Sequence, residues 1–412
     1  MTQESSFPRI LVSGASYSTD NGQGVFTVNL CERLARRNIQ VAALVASPIG
    51  KAYQETRNGV KMYYMKSLSV DFIRKGEYYT VLPIDSIRKA FDDFQPEVVH
   101  LNDHYPLSFL VYWEARRRGI QIIGTNHFMP ENLAPFLPFY HFAPNIVSWI
   151  LWRWMLMLYN HFNLVTTQSE TAAEIVKQNG LMPPVVTVSC GVDTHQFNPI
   201  PDADRLAIRK RYGIDADKKV FLYVGRLDGE KRLDSVVEAV RYLQRDDIQI
   251  VLAGKGKEAE KLKNRVQEIN RPGQVVFPGY IPQADLPNLL NSADCFIMPS
   301  DAELLSIATL EAMSCGLPVL AARAYALTEL VSDGENGYLF TPRDARDIAE
   351  KINLIADQPE RWASMKNISL ARSKGHDIES VMNRYIRLFQ LVRVTRVQKH
   401  IQMKVTNHKI SN

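Results

Sequence analysis

The sequence predicts an α/β protein of two Rossmann-like, doubly wound domains facing a central cleft. Three observations carry this. The chain has 412 residues, more than one core supports, since single cores rarely grow beyond roughly 250–300 residues. Short apolar runs alternate with helix-period segments over Arg9–Ala46 and again from Lys219 onward. Those runs are continuous, as in parallel strands covered on both faces.

Composition narrows the class. Hydrophobic residues are 46% and charged residues 23% of the chain, which is the balance of a globular protein. The net charge of +5 is too small and diffuse for nucleic acid, but it suits an anionic substrate or an anionic membrane face. Basic clusters at Arg116–Arg118 and across Arg393–Lys404 read as solvated surface. Cys31, Cys190, Cys295 and Cys315 form no CxxC pair, which fits reduced thiols in a cytoplasmic protein. Met1–Pro8 lacks a signal-peptide core. The longest apolar run, Ile146–Tyr159, is interrupted by Arg153 and falls short of the about 20 residues that span a bilayer.

The first domain is read over residues 1–198. Strand Arg9–Ser13, Gly14, a loop to Gly22, helix Gln23–Arg37 and strand Gln40–Ala46 make a βαβ opening. Gly14, Gly22 and Gly24 flank the helix N-terminus, where glycines let a ligand approach the backbone; their spacing is not GxGxxG, and a plain turn is the simpler reading. Strands follow at Glu97–Leu101, Ile120–Gly124, Asn163–Thr167 and Val185–Ser189. His100 and His104 have the spacing of a metal pair, but a strand–loop context breaks helical facing and no third ligand is in sight, so no metal is expected. His127 lies just past a strand end, where active sites of open sheets sit; a structural histidine fits equally. Phe128–Phe162 is rich in aromatics. Its helix, Asn145–Tyr159, has little polar face and reads as buried between layers at its centre; the preceding loop, Phe128–Phe142, is a candidate lipid contact.

Residues 199–218 read as a linker and 219–378 as the second domain. Its strands are Lys219–Gly225, Ile248–Ala253, Val275–Pro278, Cys295–Met298 and Leu317–Ala321. A helix over 379–398 is placed to return to the first domain, and 399–412 is a basic tail expected to fray. Arg226 leaves the first of these strands and Lys231 sits near the next helix start, a fork and a point charge suited to a diphosphate. Asp228 and Glu230 read as a solvated charged turn. Gly254-Lys-Gly256 and Phe277–Pro282 occupy successive strand ends, where backbone could read a flat base. Ser306 is the N-cap of a helix stopped by Gly316 and Pro318. Glu303 thus falls in the loop before this helix and Glu311 within it; two solvated glutamates are the simpler alternative.

Together these residues resemble the retaining GT-B glycosyltransferases of family 4, over nearly the whole chain. The resemblance rests on Asn21-Gly-Gln-Gly24, Cys190-Gly-Val-Asp-Thr-His-Gln-Phe197, Gly225-Arg226 with Glu230-Lys231, Pro278-Gly-Tyr-Ile281, Glu303 and Glu311 followed by Cys315-Gly-Leu-Pro-Val319, and Asp333-Gly-Glu-Asn-Gly-Tyr-Leu-Phe340. Asn21, Cys190 and Gly229 stand where Gly, Asn and Pro are usual in the family.

The resemblance implies that Arg226 and Lys231 hold the diphosphate of a nucleotide sugar, with Glu303 on the sugar hydroxyls and His127 near the anomeric carbon as the catalytic groups. It places the backbone of Leu304, Leu305 and Ser306 at sugar and phosphate, Glu311 on the ribose, and Gly279, Tyr280 and Ile281 against the base. Gly14, Gly22, Gln23 and Gly24 would approach the donor phosphates, and His104, Phe128, Met129 and Glu131 would meet the acceptor. It implies no metal and no cofactor beyond the nucleotide-sugar co-substrate. Retention would come from same-face attack assisted by the leaving phosphate. Thr125–Asn132 and Ala302–Glu311 look most like bacterial diacylglycerol glucosyltransferases and related lipid glycosyltransferases. The implied donor is UDP-glucose, and the implied acceptor a membrane glycerolipid at the anionic inner face of the cell membrane. A soluble sugar or metabolite acceptor, and a non-catalytic nucleotide-sugar-binding protein, are the alternatives.

Overall fold

Continuous apolar runs become the central strands. The computed structural model describes residues 7–15, 17–18, 22–69, 78–80, 83–130, 137, 142–201 and 204–410. Two units emerge, Met1–Val188 with Ser380–Asn412 and Ser189–Glu379.

Unit 1 contains β1 (Ile10–Gly14), β2 (Val41–Ala46), β3 (Tyr53–Arg57), β4 (Val60–Met65), a small hairpin of β5 (Ser67–Ser69) and β6 (Tyr78–Thr80), then β7 (Val98–Leu101), β8 (Gln121–Thr125), β9 (Leu164–Thr167) and β10 (Val185–Thr187). The main sheet has the order β10-β9-β8-β7-β1-β2-β4-β3, parallel except for β3. Every residue of β1 and β2 is buried, because helices cover both faces. Helix Gly22–Arg36 turns Phe26, Leu30 and Leu34 inward at the i, i+4 spacing of one helix face; truncating a residue as buried as Leu30 to alanine costs about 2–5 kcal/mol. The order reverses between β1 and β7, so their C-terminal ends open a crevice.

Several features differ from the sequence reading. β3 and β4 form a hairpin whose turn, Asn58-Gly59, has φ of 50° and 80°, the left-handed pair of a type I′ turn. Helices Ile84–Phe94 and Pro106–Arg117 fill an interval to which the sequence assigned little. The last helix runs from Ile378 to Ile410, past the expected fraying point, since no Gly or Pro interrupts it. It belongs to unit 1 from Ser380 onward, where Tyr385 and Phe389 pack on His100 with ring centroids 5.7 and 5.6 Å away.

Unit 2 contains β11 (Lys219–Val224), β12 (Ile248–Ala253), β13 (Val275–Gly279), β14 (Cys295–Met298), β15 (Val319–Ala322) and β16 (Gly337–Phe340). All are parallel, in the order β13-β12-β11-β14-β15-β16. This is a complete doubly wound sheet with its switch point between β11 and β14. Residues 204–218 pack within this unit. Arg209 is 5% exposed; it pairs with Asp294 at 2.9 Å and donates to the carbonyls of Ala216, Lys218 and Ser292. A buried guanidinium needs that many acceptors, and together they fasten the segment.

Candidate active site

In unit 2 the loops leaving β11 and β14 meet at the switch point. Lys231, in the turn Gly229–Lys231, reaches Glu303 with Nζ 2.6 Å from Oε1. Glu303 is 9% exposed. Arg226 donates to Asp228 at 2.6 Å and also to Glu230. Asp228 and Glu230 are therefore holders of the Arg226 fork, not a solvated turn: the short β11 exit folds back on itself and brings both carboxylates under the guanidinium. Asp301 ties the β14 loop to the β11 loop through Arg232 (3.1 Å) and accepts from Arg343 at 2.6 Å.

Ser306 caps helix Ile307–Ser314, its Oγ accepting from the Thr309 backbone. Leu304, Leu305 and Ser306 are buried. Glu311 is half-buried on that helix. Among the described residues no cation lies within ion-pair distance of it, and burial pushes its carboxyl up to about 8. Gly279 ends β13; the next residue, Tyr280, is exposed with Lys255 Nζ 5.2 Å from its ring centre, while Ile281 is buried. One ring face of Tyr280 is thus offered beside a cation, and Ile281 belongs to the core.

Gly254, after β12, sits against the β11 exit. Its φ is +143°, and a Cβ there would fall 1.8 Å from the carbonyl oxygen of Gly225. Gly254→Ala is expected to cost about 1–3 kcal/mol in backbone strain alone and to displace Arg226. Thermal unfolding will register the first effect, and nucleoside diphosphate titration the second.

In unit 1 the corresponding crevice lies at the ends of β1 and β7. Asp103 is its staple, a residue that sequence reasoning passed over in favour of the flanking histidines. Its carboxylate accepts from Ala15 N (2.6 Å), Gln23 Nε2 (3.2 Å), Tyr105 N (3.1 Å) and Ser108 Oγ (2.6 Å). Burial raises its pKa against the pull of these donors. Gln23 also donates to the carbonyl of Asn102 at 3.1 Å. Gly14 is packed against Asn102 and Asp103, 3.5 and 3.6 Å from where its Cβ would stand. Gly22 is exposed at the helix start and Gly24 is buried.

His127 follows β8 and is half-buried. Its ring lies 4.8 Å from that of Phe26 and its Nδ1 meets Gln168 Nε2; Nε2 is buried without a hydrogen-bond partner among the described residues. Burial pulls its pKa down to about 3. His104 is 1% exposed among the rings of Tyr105, Phe128 and Trp154, and His100 Nε2 lies 2.7 Å from Thr125 Oγ1. Phe128 is half-buried and Met129 is 1% exposed, so of this set Phe128 offers the most surface. Glu131 and Asn21 lie outside the described residues. Among the described residues no group of three His, Cys, Asp or Glu is arranged to hold a metal.

Helix Pro144–Tyr159 buries Leu151, Trp152, Met155 and Leu156. Its other side exposes Ile146 (61%), Trp149 (60%), Ile150 (52%) and Met157 (61%), with Phe142 90% exposed just before it. The expected burial at the helix centre holds for Leu151, Trp152, Met155 and Leu156 and fails for Trp149 and Ile150, so the helix is covered on one side.

Residues 20–196 match the family model described as Glycosyltransferase Family 4, and residues 204–371 the model described as Glycosyl transferases group 1. Each model takes in less than half of the chain, and the fold is that of the GT-B glycosyltransferases. The solved structure of Anabaena HepE in complex with UDP and glucose superposes with a TM-score of 0.75 at 18% identity, covering 92% of this chain and 99% of that one. A GDP-mannose-dependent alpha-mannosyltransferase of Corynebacterium glutamicum is 27% identical over 67% of this chain and 62% of its own length. A GDP-mannose-dependent alpha-(1-6)-phosphatidylinositol monomannoside mannosyltransferase of Mycolicibacterium smegmatis is 35% identical over 42% of this chain and 48% of its own. The chain thus spans about half to three fifths of the length of these two curated relatives. Within this GT-B chain, the residues that sequence reasoning missed are Asp103, Gln168 and the Asp228–Glu230 pair.

Proposed function

We propose that this GT-B protein transfers a hexose from a nucleoside diphosphate sugar, UDP-glucose first among donors, to a hydroxyl of a membrane glycerolipid, with retention at the anomeric carbon. The observation that carries the reading is the Lys231–Glu303 contact of 2.6 Å at the switch point of unit 2, with Arg226 on the same strand ends. A diphosphate arriving there competes for Lys231 and Arg226. Glu303 is then released to accept from sugar hydroxyls. Glu311 takes the ribose hydroxyls, Tyr280 covers the base, and Leu304, Leu305 and Ser306 set the loop beside sugar and phosphate. As the bond to the leaving phosphate lengthens, the two fixed cations stabilise its charge without reorganisation, so the reading calls for no metal. The acceptor oxygen attacks on the face the diphosphate leaves, and its proton passes to the departing phosphate.

Unit 1 is the acceptor half in this reading. Gly14, Gly22, Gln23 and Gly24 would let an anionic group approach the backbone, with Asp103 accepting from Ala15 and Gln23, and His127 orients the acceptor hydroxyl together with His104, Phe128 and Met129. Two features support a lipid acceptor. One is the exposed Phe142–Ile146–Trp149–Ile150–Met157 stripe, with Arg153 over Trp149 at 5.7 Å, the composition of an interfacial helix. The other is the name of the Mycolicibacterium relative, which includes phosphatidylinositol monomannoside. Among the described residues no helix is long and apolar enough to cross a membrane, so contact would be peripheral, at the anionic inner face. The two curated relatives favour a second reading of the donor, GDP-mannose.

Vesicle sedimentation tests the lipid half. The protein is expected to bind phosphatidylglycerol vesicles. Trp149→Asp with Ile150→Asp should weaken that binding by on the order of 10²-fold, from the 1.5–3 kcal/mol of each buried side chain. Turnover of soluble acceptors without vesicle binding would refute the lipid acceptor.

A further inference from the structure

Gln168 leaves β9 where His127 leaves β8, and the two strands are neighbours in the sheet. The residue is 6% exposed. Gln168 Nε2 lies 3.4 Å from the carbonyl oxygen of Asn126 and contacts His127 Nδ1. A carbonyl only accepts, so the network turns the amide nitrogen, not its oxygen, toward this corner. That nitrogen has two hydrogens, one for each neighbour. A ring nitrogen that accepts carries no proton. The proton of a neutral His127 therefore sits on Nε2, the atom left without a partner among the described residues. Phe26, 4.8 Å away, holds the ring plane.

We propose that Gln168 is a positioning residue that fixes His127 as its Nε2–H tautomer, so that His127 offers the acceptor hydroxyl a hydrogen-bond donor and not a base. The role toward the acceptor rests on the function proposed above; the tautomer does not. Burial keeps the ring neutral, and His100, the ionisable neighbour that feels His127 through its charge, is buried and neutral as well. The proton balance follows. When the acceptor oxygen bonds to the anomeric carbon and the carbon–phosphate oxygen bond breaks, the hydroxyl proton cannot settle on His127. It leaves with the diphosphate. His127 Nε2–H meanwhile holds a lone pair of the acceptor oxygen in line, as a second-nitrogen partner sets the working face of other histidines.

The test is nuclear magnetic resonance of the protein labelled with nitrogen-15 in histidine, using tautomer-sensitive ring correlations. His127 is assigned by the signals lost in His127→Asn. The wild-type ring should show a protonated Nε2 and a bare Nδ1 from pH 8 down to pH 5. In Gln168→Glu the carboxylate accepts, so the proton should move to Nδ1 or the ring become charged. Gln168→Met, which cannot donate and introduces no charge, should show a mixture of tautomers, and it serves if the buried carboxylate prevents folding. Gln168→Glu should also lower kcat on the order of 10²-fold with KM for the nucleotide sugar unchanged. A wild-type ring protonated on Nδ1, or a tautomer unmoved in both variants, overturns the proposal. If the tautomer moves as expected while His127→Asn transfers sugar as well as wild type, the acceptor role of His127 fails and the positioning by Gln168 stands.

Discussion

Lys231→Met should abolish nearly all transfer and also destabilise the fold, while adding Glu303→Gln should restore the fold and not the transfer. The two effects separate because the Lys231–Glu303 pair does two jobs. Without ligand, Glu303 is 9% exposed and held by Lys231 at 2.6 Å. Removing one partner of a buried pair leaves an uncompensated charge, at a cost of about 3–5 kcal/mol. This site keeps some water, since Lys231 is 21% exposed, so the lower end applies. Neutralising Glu303 in the double variant removes that penalty. It does not restore the cation that faces the leaving diphosphate, and loss of one such fixed charge costs about 10²–10³ in kcat. Denaturant unfolding of the two single variants and the double variant gives the coupling energy directly. Equal stability of all four proteins would mean that the pair does not exist in solution.

Glu311 gives the second large effect, and it depends on pH. Burial lifts its pKa from 4.5 to about 8 in the folded chain. Below pH 4.5 the group is protonated in both states and is indifferent to folding. As pH rises, the unfolded chain releases this proton first, so stability falls between about pH 4.5 and 8, and the full cost is present above 8. Glu311→Gln cannot ionise and escapes this loss. The variant should therefore gain on wild type by on the order of 3 kcal/mol at pH 9 relative to pH 5, read as a widening gap in Tm. A second consequence tests its proposed contact. Ribose hydroxyls donate best to an ionised carboxylate, so binding of the nucleotide at pH 7 should release a proton, seen by calorimetry in buffers of different ionisation enthalpy. Glu311→Gln should release none.

Much of the sheet was legible because its strands are continuous apolar runs. Ile248–Ala253 and Cys295–Met298 stand where the sequence puts them, and the Ser306 cap follows from a hydroxyl preceding a helix-period segment. β3 was not seen because it is an exposed, polar edge, Tyr53–Arg57, with no apolar run to mark it. Its Asn58-Gly59 turn was nonetheless a readable signal. The helix Pro144–Tyr159 misled because apolar residues on both faces hide which side is covered, and burial is decided by what packs on it. Gln168 was beyond reach for a different reason. Its contact with His127 spans 41 positions and exists only because β8 and β9 are adjacent, a fact of topology and not of local pattern. Asp103 stands between His100 and His104 in the sequence, but a lone carboxylate carries no sign that four donors will converge on it.

The central claim is sugar transfer from a nucleoside diphosphate donor held by Arg226, Lys231 and Glu303. It is tested most directly by measuring nucleoside diphosphate release from UDP-, GDP- and ADP-sugars in the presence of total lipid extract. The account predicts release from one donor, UDP-glucose first, that requires lipid, that falls about 10²-fold or more in Glu303→Ala, and that yields a glycolipid with the donor's anomeric configuration. Release from no donor by the folded protein, or release undiminished in Glu303→Ala, would contradict it.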